Sequence, residues 1–209
     1  TSVYCVWLRS DGTTRSTQGR SAAASDMYKR QGYGNATIED IARQACLSPG
    51  TVYNYYGHKG EMLIALVAME VNDVLKAGES FVRNPSLDVL ESVDGLIGLF
   101  LEKSLVYLDK ESWRHAIAAS IEQPDAVFAS HYTDLDARLA DQISRMLMTL
   151  QRLDRIHPKI DPQVFGRMLF NNMNNQFIEF VKDTPRELEQ LRADLRYQHT
   201  ALCRLIEIG

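Results

Sequence analysis

The chain has no apolar run approaching the length of a membrane span, so a helical membrane protein is excluded. The one early apolar patch, Val3 to Leu8, is too short for a signal-peptide core and has no basic flank, so a cytoplasmic location is expected. Cysteine is scarce. Cys5, Cys46 and Cys203 are odd in number, far apart and without metal-ligand spacing, and are read as free thiols. Also missing are a Gly-x-Ser-x-Gly elbow, a phosphate-binding Gly loop and a His-Glu-x-x-His pair, so neither an enzyme nor a cofactor is expected. His131, Asp134 and Asp136 stand close in sequence but diverge on a helix, and no metal site is expected there. His115 follows Arg114 as a surface residue, while His157 and His199 have no acid at ligand spacing. No segment alternates like a strand between hairpin turns, so the fold class expected is all-α.

A surplus of basic charge is lacking too: the net charge is −4. Its distribution is uneven. Residues 1–64 hold seven Lys and Arg against five Asp and Glu, and the remainder holds sixteen against twenty-two. A mildly positive front and an acidic bulk allow a polyanionic partner at the N-terminal end only, through geometry and neutral donors more than through charge.

What is present centres on Thr37 to Lys59, TIEDIARQACLSPGTVYNYYGHK. Thr37 is a good N-cap, acids occupy the first turn, and Ile38, Ile41, Ala42 and Ala45 share one face. After a turn at Cys46 and Leu47, Ser48 caps a second helix with Pro49 at its first position. In that helix only Val52, Tyr55 and Tyr56 can form a buried seam, which leaves Pro49, Gly50, Thr51, Tyr53 and Asn54 outward. This face is small, hydroxylated and amide-bearing, with no acid. Gly50 and Thr51 can meet base edges or thymine methyls, Asn54 can serve a base edge, and Tyr53 can donate to phosphate, which the helix N-terminus also attracts. A solvent-only face is usually Glu and Lys, but the alternative of a polar surface helix of no special role stays open.

Residues 32–63 resemble the DNA-binding helix-turn-helix of the TetR family of repressors. The matching elements are Gly32-Tyr33, Thr37, Ile41-Ala42, Ser48, Gly50-Thr51-Val52-Tyr53, Tyr55-Tyr56 and Lys59. The resemblance implies that Pro49, Gly50, Thr51 and Asn54 face bases, while Thr37, Tyr53, Tyr55 and Lys59 hold phosphates. Two departures stand out. Cys46 replaces the Gly usual in the inter-helix turn, so a left-handed backbone there would be slightly strained. The first helix, equivalent to Gly19 to Lys29, has only Met27 and Tyr28 as large apolar residues.

Along the chain, residues 1–18 read as a flexible arm from which Arg9, Arg15 and Arg20 could reach along a groove. Residues 19–64 read as a three-helix DNA-binding headpiece, and residues 65–209 as a larger helical ligand-binding and dimerisation domain. Within the latter, one helix starts near Met62 and ends before Asn84-Pro85. A second, capped by Ser86, runs through Leu105 and carries Gly95 and Gly98. A third covers 112–122, carrying Trp113, Ile117 and Ile121, and a fourth covers 125–152. The last pair begins at Asp161-Pro162 and at the capping box Thr184-Pro185-Arg186-Glu187. In the final helix Leu188, Leu191, Leu195, Gln198, Leu202 and Leu205 make a heptad-like seam. The tract Asn171 to Gln176 would either bond across a twofold axis or be solvated.

The resemblance further implies a homodimer through the last two helices, paired headpieces on a near-palindromic DNA operator, and release by a small-molecule effector. Phe100, Tyr107, Trp113, Ile117, Phe128, Met146 and Phe165 are candidates to line the effector pocket, though such residues also make plain core. The alternative is a helical small-molecule carrier or scaffold in which the helix-turn-helix is only a packing unit.

Overall fold

The structure, a computed structural model, describes residues 14–55, 59–122 and 127–208, with the side chains of 14–22, 55, 127 and 128 outside the description. Among the described residues there are nine helices: α1 (Thr14–Gln31), α2 (Ile38–Gln44), α3 (Pro49–Tyr55), α4 (Lys59–Arg83), α5 (Val89–Lys103), α6 (Lys110–Glu122), α7 (Val127–Arg152), α8 (Pro162–Lys182) and α9 (Leu188–Arg204). The sole extended pairing among them is an isolated bridge between Ile156 and Glu207, which ties the α7–α8 loop to the chain's end. The protein is all-α.

Local chemistry sets most helix starts. Thr37 Oγ1 accepts the Asp40 N–H at 3.1 Å, Ser48 Oγ accepts that of Thr51 at 3.1 Å, and Asp161 Oδ1 accepts that of Gln163 at 2.8 Å. Such caps are each worth about 1 kcal/mol. Four boundaries differ from expectation. Helix α1 begins at Thr14 rather than 19, so residues 14–18 are helical and not part of an arm; nothing between Thr14 and Gln31 stops a helix except the tolerated Gly19. Residues 1–13, with Arg9, lie outside the description. Helix α5 is capped by Asp88, whose carboxylate accepts the Glu91 N–H at 2.9 Å; Ser86 instead holds the Asp88 N–H at 3.2 Å. Helix α5 also ends at Lys103, because the following carbonyls go to tertiary partners described below. Helix α9 starts at Leu188, where the Gln190 side chain accepts the Glu187 N–H at 2.8 Å, so Thr184-Pro185 belongs to the preceding turn.

Helices α4, α7 and α8 form the body's central stack, with α5 and α9 on one side and α6 on the other. The fully buried Leu66, Leu96, Ile143, Met146, Leu147 and Leu150 fill it, and each contributes roughly 1.5–3 kcal/mol by leaving water. At the α7–α8 crossing a Cβ on Gly166 would lie 2.7 Å from Ser144 Cα, so the close approach requires glycine. Gly95 lies under the Phe81 ring, a packing role. Helix α9 buries Leu191, Leu195, His199 and Cys203, a four-residue step rather than the expected heptad, and Leu205 is 74% exposed. Ile121 on α6 is 71% exposed as well.

The headpiece seats on the body through small contacts. Its core is Ala23, Ala24, Met27, Tyr28, Ala36, Ile38, Ile41, Ala42 and Val52, continuous with Leu63 and Leu66 of α4. Helix α4 itself runs unbroken through residues 64 and 65, where a domain border was expected. No helix among the described residues is long and apolar enough to cross a membrane.

Candidate nucleic-acid interface and an acidic cavity

The turn between α2 and α3 is closed by Leu47 N–H to Ala42 O at 2.8 Å, with Cys46 at φ +55°. A Cβ in that left-handed region costs about 1 kcal/mol, the strain anticipated for a residue other than glycine. The turn presents α3 with Val52 fully buried and Ser48, Pro49, Gly50, Tyr53 and Asn54 exposed. Thr51 is half-buried, its hydroxyl 2.8 Å from that of Ser48. The outward face expected from the sequence is therefore solvent-facing and continuous, and the side chain of Tyr55 lies outside the described residues.

The polar groups around this face are engaged. Tyr53 OH donates to Glu39 Oε1 at 3.1 Å, and this bond raises the phenol's pKa. Thr37 Oγ1 donates to Asp40 Oδ2 at 2.7 Å, which lowers that carboxyl's pKa. Lys59 Nζ donates to Gly34 O at 3.2 Å and sits 4.2 Å from the Tyr33 ring centroid, so it pins the start of α4 to the α1–α2 turn. Partial burial lowers its pKa. Phosphate contact by Tyr53 or Lys59 thus means exchanging these partners.

Behind the headpiece a turn at 104–109 acts as a joint. Lys29 Nζ of α1 donates to Val106 O at 2.5 Å and Leu105 O at 3.2 Å, and Ser25 Oγ donates to Tyr107 O at 2.6 Å. From the body side, Trp113 Nε1 takes Ser104 O at 2.5 Å, and Tyr107 OH donates to Asp73 at 2.8 Å, which pushes the Tyr107 pKa up to about 12. A second seat lies on α6, where His115 stacks on Tyr33 at 4.6 Å and Glu111 Oε1 accepts the Gly34 N–H at 3.4 Å.

Ser104 also lines a cavity of about 60 Å³ between α4, α5, α6, α7 and α8. Of the pocket candidates, Phe100 and Trp113 line it. Tyr107 belongs to the joint, Met146 is fully buried in the central stack, Ile117 and Phe165 pack half-buried outside the lining, and the side chain of Phe128 lies outside the described residues. That these four do not line this cavity has one cause: helical spacing identifies an inward face but not which neighbour that face meets. The sequence reading missed Tyr132, Phe170, Met173 and Phe177, and it missed the polar lining, Glu70, Asp136 and Asn174.

Glu70 is 2% exposed, and neither carboxylate oxygen has a hydrogen-bond partner. Burial raises its pKa well above the usual value, only partly offset by the nearby N–H groups of Val106 and Tyr107 and by Lys29. Asp136, dismissed with His131 and Asp134 as a diverging trio, turns into the same cavity, where burial raises its pKa to about 7 and Asn174 Nδ2 approaches at 3.5 Å. A signal was present: Glu70 falls among Leu66, Val67, Val71 and Val74 on the apolar face of α4. His199 likewise has an acidic partner that sequence spacing concealed. It is fully buried with Nδ1 3.6 Å from Asp94, and burial lowers its pKa.

Helix α8 exposes Val164 (58%) and Met168 (52%), α9 exposes Tyr197 (82%), and Leu205, just past the end of α9, is exposed too. In the asparagine tract, Asn171 and Asn175 are exposed, Asn172 is half-buried and Asn174 points to the cavity.

Residues 22–66 match the family model for bacterial regulatory proteins of the tetR family. A 42-residue stretch is 43% identical to the HTH-type transcriptional regulator HbdR of Aromatoleum sp. (strain CIB), covering 20% of this chain and 18% of that protein, so this likeness is one of headpieces. A putative TetR-family transcriptional regulator from Mesorhizobium loti superposes with a TM-score of 0.74 at 18% identity, over 95% of this chain and 100% of that one. The FadR repressor of Thermus thermophilus, solved with lauroyl-CoA, gives 0.63 at 20% identity, over 85% and 90%. At such identities these structures establish a shared fold.

Proposed function

Since residues 22–66 belong to the TetR family of bacterial regulatory proteins and the chain has that family's fold, we propose that it is a homodimeric, sequence-specific DNA-binding transcriptional regulator, a repressor released from a near-palindromic operator by a small molecule. The observation that carries this reading is the outer face of α3: Ser48, Pro49, Gly50, Tyr53 and Asn54 are exposed together on a helix whose other side is anchored by Val52. A helix-turn-helix serving only as packing, as in a carrier or scaffold, has no reason to keep that face open and free of acids. Small residues let the backbone approach base edges, and paired headpieces would enter successive major grooves.

The exposed apolar residues of α8 and α9 support dimerisation through that pair, with one stripe of each helix buried inward and the other left for a second copy. The joint at 104–109 supports ligand response. It touches the cavity through Ser104 and the headpiece through Lys29 and Ser25, so a ligand that moves the turn tilts α1. Release then follows if the ligand binds the tilted dimer better than the DNA-bound one.

Gel retardation on the intergenic DNA beside the protein's own gene tests the reading. A discrete complex with steep salt dependence is expected, and no retardation in low salt overturns it. Tyr53→Phe and Lys59→Ala should weaken binding to all sequences. Asn54→Ala and Thr51→Ala should cost about 1–3 kcal/mol on the operator with little change on random DNA.

A further inference from the structure

The cavity's chemistry is unusual for an apolar pocket, because its walls carry two acids. Glu70 comes from α4 and Asp136 from α7, and no Lys or Arg belongs to its lining. The nearest base, Lys29, is committed to the carbonyls of Leu105 and Val106 in the joint. Glu70 is fully buried; the N–H groups of Val106 and Tyr107 lie beside its carboxyl, but neither oxygen makes a well-formed hydrogen bond. Burial holds this carboxyl in its neutral form, and a cation seated in the cavity is the partner that would let it ionise in place. The remaining walls are aromatic, including Phe100, Trp113, Phe170 and Phe177, whose ring faces attract cations and whose bulk suits a compact apolar body. The free volume is several times the roughly 10–15 Å³ needed by one water.

We infer that this cavity takes an organic cation, a compact apolar or aromatic body bearing one protonated amine or amidine, seated against the Glu70 and Asp136 carboxyls. The inference rests on reading the body as the ligand-responsive part and adds the class of ligand. A carboxylate ligand would meet two acids and no base. A neutral ligand would leave the acids in their neutral form and gain nothing from their charge. The ligand charge would also be felt at the joint, since Glu70 lies beside the N–H groups of Val106 and Tyr107.

The test is calorimetric titration of the full chain, without DNA, using three probes of one shape: 4-phenylbutylamine, 4-phenylbutanol and 4-phenylbutyrate. The amine is expected to bind about tenfold or more tightly than the alcohol, and the acid most weakly of the three. Glu70→Gln and Asp136→Asn, each confirmed folded by circular dichroism, should each weaken the amine about tenfold and leave the alcohol within about threefold. Should Glu70→Gln fail to fold, Asp136→Asn carries the same comparison. Amine affinity should also rise with pH from 6 to 8, by at most about tenfold per unit, because the cation favours the ionised acids. The groups facing those acids are Lys29, Asp73 and Tyr107 around Glu70, and Tyr132 and Asn174 around Asp136. An amine that binds no better than the alcohol, heat from none of the three at millimolar concentration, or folded variants that bind the amine like the parent would overturn the inference. Because DNA is absent, such a failure leaves the regulator reading standing, and a chain that binds the amine but retards no DNA breaks only the latter.

Discussion

The headpiece and the body are both three-dimensional helix packings, yet they are held in different ways. The headpiece core is four alanines with Tyr28, Met27, Ile38, Ile41 and Val52, and its polar ties to the body include hydrogen bonds made by Ser25, Lys29, Gly34 and Lys59 and a ring stack on His115. The body buries leucine, phenylalanine and methionine in quantity around α4, α7 and α8. A face of small residues offered outward cannot also bury large side chains, so the headpiece is anchored thinly. A part that must hold a cavity open needs stiff walls, and these come from close crossings and full burial.

The sharpest way to break that contrast is at the stiffest wall. Gly166→Ala sets a Cβ 2.7 Å from Ser144 Cα and 2.8 Å from its N at the α7–α8 crossing. We expect a loss of about 2–3 kcal/mol in urea unfolding; a loss under about 0.5 kcal/mol would mean that the crossing yields as readily as the headpiece.

The second test concerns what the cavity costs the body. Asp136 has a folded pKa of about 7 against an ordinary value of 3.8. A raised carboxyl pKa means that the folded state keeps a proton the unfolded chain has released, so this group subtracts stability progressively as pH rises from about 4 to about 7. Asp136→Asn should therefore stabilise the protein more at pH 8 than at pH 5, by about 2 kcal/mol after allowance for its partial exposure. Buried His199, its pKa lowered, acts in the other direction: its stability is lost as pH falls below about 6.5. Comparing variant with parent at each pH cancels that contribution. An equal gain at both pH values would show that Asp136 is not buried in its charged form's disfavour.

The smallest effect belongs to the headpiece. Cys46 at φ +55° stores strain that glycine would relieve, so Cys46→Gly should stabilise by about 0.5–1 kcal/mol, partly offset by unfolded-chain entropy. Thermal unfolding followed by circular dichroism checks it, and a destabilised variant would mean that the thiol packs usefully in the turn.

Legibility in the sequence follows the range of the interactions. Thr37, Ser48-Pro49 and Asp161-Pro162 announced their helices because a cap bonds to an N–H two or three residues away. Ser86 misled because Asp88 is an equally good cap two residues on, and only the fold of the 84–88 turn selects between them. The end of α5 was hidden because Lys29, 76 residues from Leu105, takes the carbonyl there. The outer face of α3 was readable as a face, since a seven-residue helix with one large aliphatic has only one way to lie. The cavity was not: Phe100 and Trp113 were named together with Tyr107, Ile117, Met146 and Phe165, and helical spacing cannot separate lining from core.

By itself the sequence determined the helical class, the caps at Thr37, Ser48 and Asp161, the strained turn and the residues α3 turns outward, all through contacts within a few positions along the chain. Only tertiary structure decided that Glu70 and Asp136, 66 positions apart, would wall one cavity. Only tertiary structure, too, ran a turn from that cavity to the first helix. Burial depends on which helices meet, and it is burial that raises the pKa of these two acids.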